Sequence, residues 1–374
     1  MRIGFEAKRL FLNDRGLGNY ARNILYGLVK FYPESHYHLY TPKASKQYVN
    51  SDFISQETIH VHEPSGWLNS LSKSAWRSLN LGKIAAKDDL NVFHGLSQEL
   101  PRDIKKLKAK SIVTIHDMIF LKHPEFYKPI DRRIYYSKVK FAVTNADHIV
   151  AISEQTKNDL LEEFRIAEEQ ISVIYQSCNE VFYSKRTPEE KEAVKQKWGL
   201  PENFLLYVGA LNENKNILVI LKAMNYLKGK MDLPLVIVGN GEAYKARLKD
   251  YAIKNDLSDK IIFASEASNP TPFELSSFYQ LASVFIFPSF YEGFGIPILE
   301  SRFSGTPVIA SNSTCLEEVG GANSLFFDPS NYEQLASKIE QQLYKPVFTN
   351  PPTDFMSQSI SKKFMDLYTR IYGI

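Results

Sequence analysis

Short runs rich in Val, Ile, Phe and Tyr alternate with stretches of helical apolar spacing from one end of the chain to the other. This alternation limits the fold more than any other feature. Strands are expected at 2–5, 37–40, 58–62, 91–93, 111–115, 148–151 and 172–175, then at 204–208, 235–238, 261–263, 284–287 and 307–310. Helical spacing marks 18–31, 131–146, 154–164, 218–227, 243–255 and 332–343. Strand, helix, strand in succession is the signature of βαβ units and parallel sheets, so the fold class is α/β. Twelve strands in 374 residues exceed one doubly wound sheet and one core, which implies two. The break belongs near 180–200, where the charged stretch 184–197 reads as a linker, giving domains 1–183 and 184–353. Proline-rich 345–352 precedes a last segment, 354–372, with apolar residues at helical spacing.

With 44% hydrophobic and 23% charged residues, the composition is that of a soluble globular protein. No apolar leader opens the chain and no run of 18 apolar residues occurs, so a cytoplasmic, at most peripheral, location is expected. Cys178 and Cys315 are far apart and read as free thiols of a reducing compartment. The formal net charge is +3, yet residues 102–140 alone hold eleven basic residues against four acidic ones. That stretch reads either as a solvated face or as a surface for anionic lipid headgroups or a phosphate-bearing acceptor. Nucleic acid is not implied, because no aromatic-basic reading motif accompanies the charge.

The most informative stretch is 285–300, FIFPSFYEGFGIPILE. An apolar strand runs into a turn carrying Gly293, Phe294 and Gly295, and a helix starts near Ile296 and Pro297. Unpaired amides at a helix start beyond a strand's carboxyl end suit an anion such as a diphosphate. Two carboxylates, Glu292 and Glu300, flank the turn. Elsewhere, a glycine turn with Gly16 and Gly18 follows the first strand. It is not the dinucleotide fingerprint, because the third glycine is missing, which argues against a nicotinamide oxidoreductase. His94, His116 and Asp117 stand at strand ends, each with a structural alternative. Gly209 and Lys215 lie in the loop after the strand at 204–208, and Gly239 begins a lone Gly-x-Gly. A small-residue loop, 310–321, carries Cys315, read as a packing residue.

The pair Glu292 and Glu300, with its glycine-bearing spelling, resembles the glutamate–seven–glutamate motif of retaining glycosyltransferase family 4. The remaining pieces fall in that family's order over nearly the whole chain. The resemblance implies a GT-B architecture: two Rossmann-like lobes facing a central cleft, acceptor site first, nucleotide-sugar donor site second, with the last helix (354–374) rejoining the first lobe. It implies that Glu292 contacts the donor sugar, Glu300 holds the ribose and Lys215 partners the leaving phosphate. His116 would point to the donor sugar, Gly16 and Gly18 would lie over the phosphates, and Gly209, Gly239 and Gly293 to Ile296 would line the donor. Relatives usually carry arginine where this chain has Ala210 or Asn214. The implied chemistry is retaining transfer of a GDP- or UDP-linked hexose, with mannose a reasonable candidate. It runs through an oxocarbenium-like transition state, with no cofactor and no metal. A glycan or lipid-linked acceptor is expected, with 65–90, including Trp67 and Trp76, either part of its groove or core. The alternative is a nucleotide-sugar-binding protein that has lost turnover.

Overall fold

In the computed structural model, residues 1–13, 16–45, 53–64, 76–266, 268–348 and 350–373 are described; residues 65–75, Trp67 among them, lie outside these. The chain divides into two compact units, Met1–Ser177 with Asp354–Ile374, and Cys178–Thr353.

The first unit is built on seven parallel strands: β1 Arg2–Glu6, β2 His36–Tyr40, β3 Ile59–His62, β4 Val92–Gly95, β5 Lys110–Ile115, β6 His148–Ala151 and β7 Ile171–Val173. Their order is β3-β2-β1-β4-β5-β6-β7. Helices α1 Lys8–Leu12, α2 Gly16–Phe31, α3 Leu81–Ala85, α4 Ile119–Lys122, α5 Pro129–Asn145 and α6 Glu154–Glu163 connect them. Strand order reverses between β1 and β4, and open α/β sheets take ligands at such a switch point. Trp76 is buried in the core with Tyr40, Leu81 and Phe93, so it is a core residue rather than a groove residue.

The second unit repeats the plan with β8 Leu205–Val208, β9 Leu235–Val238, β10 Ile261–Phe263, β11 Val284–Phe287, β12 Val308–Ser311 and β13 Leu325–Phe327. The order is β10-β9-β8-β11-β12-β13, so the reversal falls between β8 and β11. Strands β8, β9, β11 and β12 are buried throughout, as parallel strands covered on both faces must be. Helices α7 Pro188–Trp198, α8 Leu218–Tyr226, α9 Glu242–Lys254, α10 Pro272–Leu281, α11 Ile296–Ser304, α12 Leu316–Gly320 and α13 Tyr332–Tyr344 cover it. The expected linker at 184–197 is therefore corrected: most of it is α7. Thr187 and Glu190 close a capping box, Pro188 occupies the first turn, and left-handed Gly199 ends the helix.

The last helix, α14 Ser357–Tyr372, belongs to the first unit and packs on α2. Gly27 permits the approach: a Cβ there would lie 2.3 Å from Ser361 Oγ and 2.6 Å from Ser357 Oγ. Ile360, Phe364, Leu367 and Tyr368 are its buried face.

Candidate functional site

In the second unit, the loops that leave β8 and β11 at the switch point carry the expected donor residues. Gly209 follows β8, and its N–H donates to the Val238 carbonyl at 3.0 Å. Leu211 N–H donates to the Asn240 carbonyl at 2.9 Å, so the loops after β8 and β9 run against each other. The Gly-x-Gly after β9 is there for this approach. A Cβ on Gly239 would meet the Gly209 carbonyl oxygen at 1.8 Å, and one on Gly241 the Leu211 carbonyl oxygen at 2.0 Å. Both glycines also hold positive φ.

Further along the first loop, Asn212 caps a short turn by accepting from Lys215 N–H. Left-handed Asn216 then donates from its amide to the Pro288 carbonyl at 3.2 Å and the Pro329 carbonyl at 2.7 Å. Asn214 Nδ2 donates to the Tyr291 carbonyl at 2.9 Å, and Phe290 N–H to the Asn214 carbonyl at 2.9 Å. The loop after β8 is thus sewn to the turn after β11. The outcome is that Lys215 Nζ forms an ion pair with Glu292 and lies 5.8 Å from the centre of the Phe287 ring. Two buried polar atoms at this turn, Ser289 Oγ and Asn214 Oδ1, find no partner among the described residues.

The turn ends in Gly295, whose φ of +114° excludes a side chain without strain and whose Cβ would press on Leu316 at 3.0 Å. No side chain caps α11 among the described residues, and Pro297 sits in its first turn. Pro297 has no N–H to offer and Ile298 N–H donates to the Gly295 carbonyl at 2.9 Å, so what the helix start presents to an anion is chiefly the positive end of its dipole. Phe294 is buried beneath the turn. The loop after β12 braces it from the side. Ser311 Oγ and Ser313 Oγ donate to the Ser289 carbonyl at 2.5 and 2.9 Å, and Thr314 Oγ1 donates to the Glu292 carbonyl at 3.2 Å. Cys315 Sγ lies 3.3 Å from the Glu292 carbonyl oxygen and 3.2 Å from that of Phe294. Burial pushes the Cys315 thiol up, so it is a packing group and no nucleophile.

Glu300 sits one helical turn further on, half-buried, with its carboxylate accepting from the Tyr279 hydroxyl at 2.9 Å. Burial pushes its pKa up to about 7, partly offset by that hydrogen bond. Reasoning from sequence missed Tyr279, because it missed α10. The signal was present: Thr271, Pro272 and Glu274 spell a capping box.

In the first unit, β1 ends at buried Glu6, which accepts from Ser97 Oγ at 3.3 Å across the switch point. Gly18 is required by packing, since a Cβ would lie 1.6 Å from the Asn13 carbonyl oxygen; Gly16 meets nothing within 4 Å. His116, at the end of β5, is buried; its Nε2 is 2.8 Å from the Leu96 carbonyl oxygen and its ring meets Tyr20 edge-on at 4.5 Å. Burial lowers its pKa to about 4, so the ring is neutral and Nε2 carries the proton it donates. His94 is wholly enclosed. Its Nδ1 meets the Tyr368 hydroxyl at 2.7 Å and its Nε2 meets Thr114 Oγ1 at 2.8 Å, which in turn meets the Tyr20 hydroxyl at 2.9 Å. Both ring nitrogens are spoken for, which makes His94 a structural link between sheet and α14. Asp117 Oδ1 accepts from Ile119 N–H at 3.2 Å at the start of α4.

The geometry can now be set beside known proteins. Residues 15–179 match the family described as Glycosyltransferase Family 4, and residues 188–356 match Glycosyl transferases group 1. The chain is a member of glycosyltransferase family 4. Among curated relatives, the O-antigen chain mannosyltransferase B of Escherichia coli is 30% identical over 67% of this chain and 65% of its own length. The match spans still less, 30%, of a serotype-specific mannosyltransferase from the same organism. Among solved structures, a sucrose-phosphate synthase from Thermosynechococcus elongatus superposes with a TM-score of 0.78 at 20% identity, covering 100% of this chain and 99% of its own. The Anabaena HepE protein in complex with UDP and glucose gives 0.69 at 16%, covering 99% and 95%. At these identities the structures speak for the fold alone, and that fold is GT-B.

Proposed function

We propose that this family-4 chain transfers a hexose, with mannose the first candidate, from a nucleoside-diphosphate sugar to a glycan or lipid-linked acceptor, retaining the anomeric configuration. The reading rests on one observation: Lys215 and Glu292 are held together beside the uncapped start of α11. An ammonium and the positive end of a helix are what a departing diphosphate needs as negative charge builds on it. Arrival of the donor gives Lys215 a phosphate partner and releases Glu292 to the sugar hydroxyls. Glu300 would accept from the ribose, whereas His116 already donates its Nε2 proton to the Leu96 carbonyl and offers the donor none. Mannose is supported by the relative named an O-antigen mannosyltransferase. No step calls for a metal or a cofactor.

A second reading, donor binding without turnover, is favoured by Asn214. It occupies a position where the family resemblance leads one to expect arginine, and its amide is spent on the Tyr291 carbonyl, so Lys215 stands as a point charge without a bidentate partner. Thermal shift against a panel of GDP- and UDP-sugars, followed by acceptor-dependent nucleotide release, separates the readings. One donor should raise the melting temperature of the wild type and leave Lys215→Ala and Glu300→Ala unmoved. A shift without nucleotide release under any acceptor would favour the second reading; no shift with any donor at millimolar concentration would reject both.

A further inference from the structure

Four of the eight histidines of this chain fall on two adjacent strands, His36 and His38 on β2, His60 and His62 on β3. Alternation along a strand puts residues two apart on one face. The parallel register pairs His38 with His60 and Tyr40 with His62, so the four rings share that face at the edge of the first unit's sheet. His36 Nδ1 and His60 Nε2 are 3.1 Å apart, and so are His38 Nδ1 and His62 Nε2. Among the described residues, only the second pair has a carboxylate within 4.0 Å of its ring nitrogens. Asp88, in the turn after α3, lies with one oxygen 4.0 Å from His38 Nδ1 and the other 3.9 Å from His62 Nε2.

We propose that His38, His62 and Asp88 form a binding site for a divalent transition-metal cation, with Zn²⁺ the natural fit. Two imidazole nitrogens and a carboxylate oxygen are a donor set suited to zinc. Atoms spaced in this way match the spacing imposed by an ion about 2.0–2.2 Å from each ligand. The three groups are the one set of potential ligands of this kind among the described residues. The supporting contacts are those of a built site. The Tyr40 hydroxyl donates to Asp88 Oδ2 at 2.5 Å, Arg2 Nε donates to the Asp88 carbonyl at 2.8 Å, and the Tyr40 ring stacks on His62 at 4.6 Å. Such partners hold ligands in place and tune a metal. Without an ion, one proton lies between Nδ1 of His38 and Nε2 of His62. An ion needs each ring to keep its proton on the far nitrogen, a tautomer shift with no net proton release. At His38 the far nitrogen is Nε2, buried with no partner among the described residues, so the shifted proton would be held there without an acceptor, a cost that the metal bonds must exceed. His38 is closed to solvent, whereas His62 and Asp88 keep 25% and 22% of their side chains exposed, enough for an ion to enter from one side. The fourth position would be left to water.

The alternative occupant of these contacts is a proton, with the histidines serving only as a hydrogen-bonded ladder. Untagged full-length protein, stripped with chelator and titrated calorimetrically with ZnCl₂, decides between them. One equivalent should bind. His62→Gln and Asp88→Asn should each weaken binding about tenfold or more, while His123→Gln, at an unrelated exposed histidine, should leave it unchanged. Titration with Co²⁺ should give the visible absorption of a four-coordinate ion in the wild type. That readout needs no variant to fold. Less than one equivalent of zinc and no cobalt absorption in the wild type would overturn the proposal, as would equal zinc affinity in folded His62→Gln.

Discussion

At the scale of single residues, the proposed donor-side chemistry turns on groups whose charge depends on their surroundings. Glu300 is the clearest. Its carboxyl is driven up to about 7 by burial, far above an unfolded glutamate. Between roughly pH 4.5 and 7 the folded protein therefore holds a proton that the unfolded chain does not. Stability from this group is full at acid pH and is lost as pH rises through that window, on the order of 2–3 kcal/mol. Glu300→Gln should flatten this slope in denaturant melts taken at several pH values. Donor binding should run the other way. A carboxylate accepts ribose hydroxyls best when ionised, so donor affinity should weaken about tenfold for each pH unit below 7. Calorimetry from pH 8 to 6 on wild type and Glu300→Gln tests this; a flat wild-type profile would remove Glu300 from the ribose. Glu292, Glu300 and Lys215 were legible because the motif is a spelling, a set of residue types at fixed spacing. The roles of Asn214, Thr314 and Tyr279 were not, because each acts through a contact with a segment distant in sequence.

At the scale of elements, parallel strands announce themselves as apolar runs, and the expected strands recur in the structure with shifts at their ends. The short edge strand β13 was missed: Leu325 and Phe326 are partly buried and Phe327 wholly, and three residues are too few for an apolar run or an alternation to show. Helices α7 and α10 were missed for a different reason. Their apolar periodicity is weak, since α7 buries only Val194 while α10 buries Glu274 and the run Ser276 to Tyr279, three of those five polar, yet both open with Thr-Pro-x-Glu capping boxes that mark a helix start. Helix α14 shows an element held from a distance. His94 and Tyr368 are 274 positions apart and join α14 to β4 inside the core. Tyr368→Phe leaves a buried ring nitrogen without its partner and should cost about 1–3 kcal/mol. Phe364→Ala, at a fully buried position on the same helix, should cost about 3–5 kcal/mol. Chemical denaturation checks both. If the two variants unfold at the wild-type midpoint, α14 is not part of the first unit's cooperative core.

At the scale of the whole molecule, two parallel sheets were readable from strand count, whereas their shared switch-point order and the meaning of the charge were not. No helix among the described residues is long and apolar enough to cross a membrane. The basic stretch 102–140 instead includes α5, which carries Arg132, Arg133, Lys138 and Lys140 together with Ile130 and Ile134, the latter two 63% and 47% exposed. Apolar side chains one turn apart, set among cations, cost solubility on a purely solvated face. They suit an interface in which charge meets anionic headgroups and the isoleucines enter the acyl boundary. Several of these cations have protein partners: Lys138 pairs with Glu99 at 2.9 Å, and Arg132 Nε donates to the Phe120 carbonyl at 3.1 Å. The electrostatic part must therefore come from the stretch as a whole, at about 1 kcal/mol for each free basic group near the surface. Sedimentation with vesicles should recover the protein on phosphatidylglycerol-containing bilayers and not on pure phosphatidylcholine. The bound fraction should fall as salt rises from 0.05 to about 0.5 M, because the Debye length shrinks below the span of the patch. Ile130→Ser with Ile134→Ser should lower binding at every salt concentration, whereas Arg133→Glu should act mainly at low salt. Equal recovery on neutral and anionic vesicles, or none on either, would return the stretch to a solvated face and leave a lipid-linked acceptor without that support.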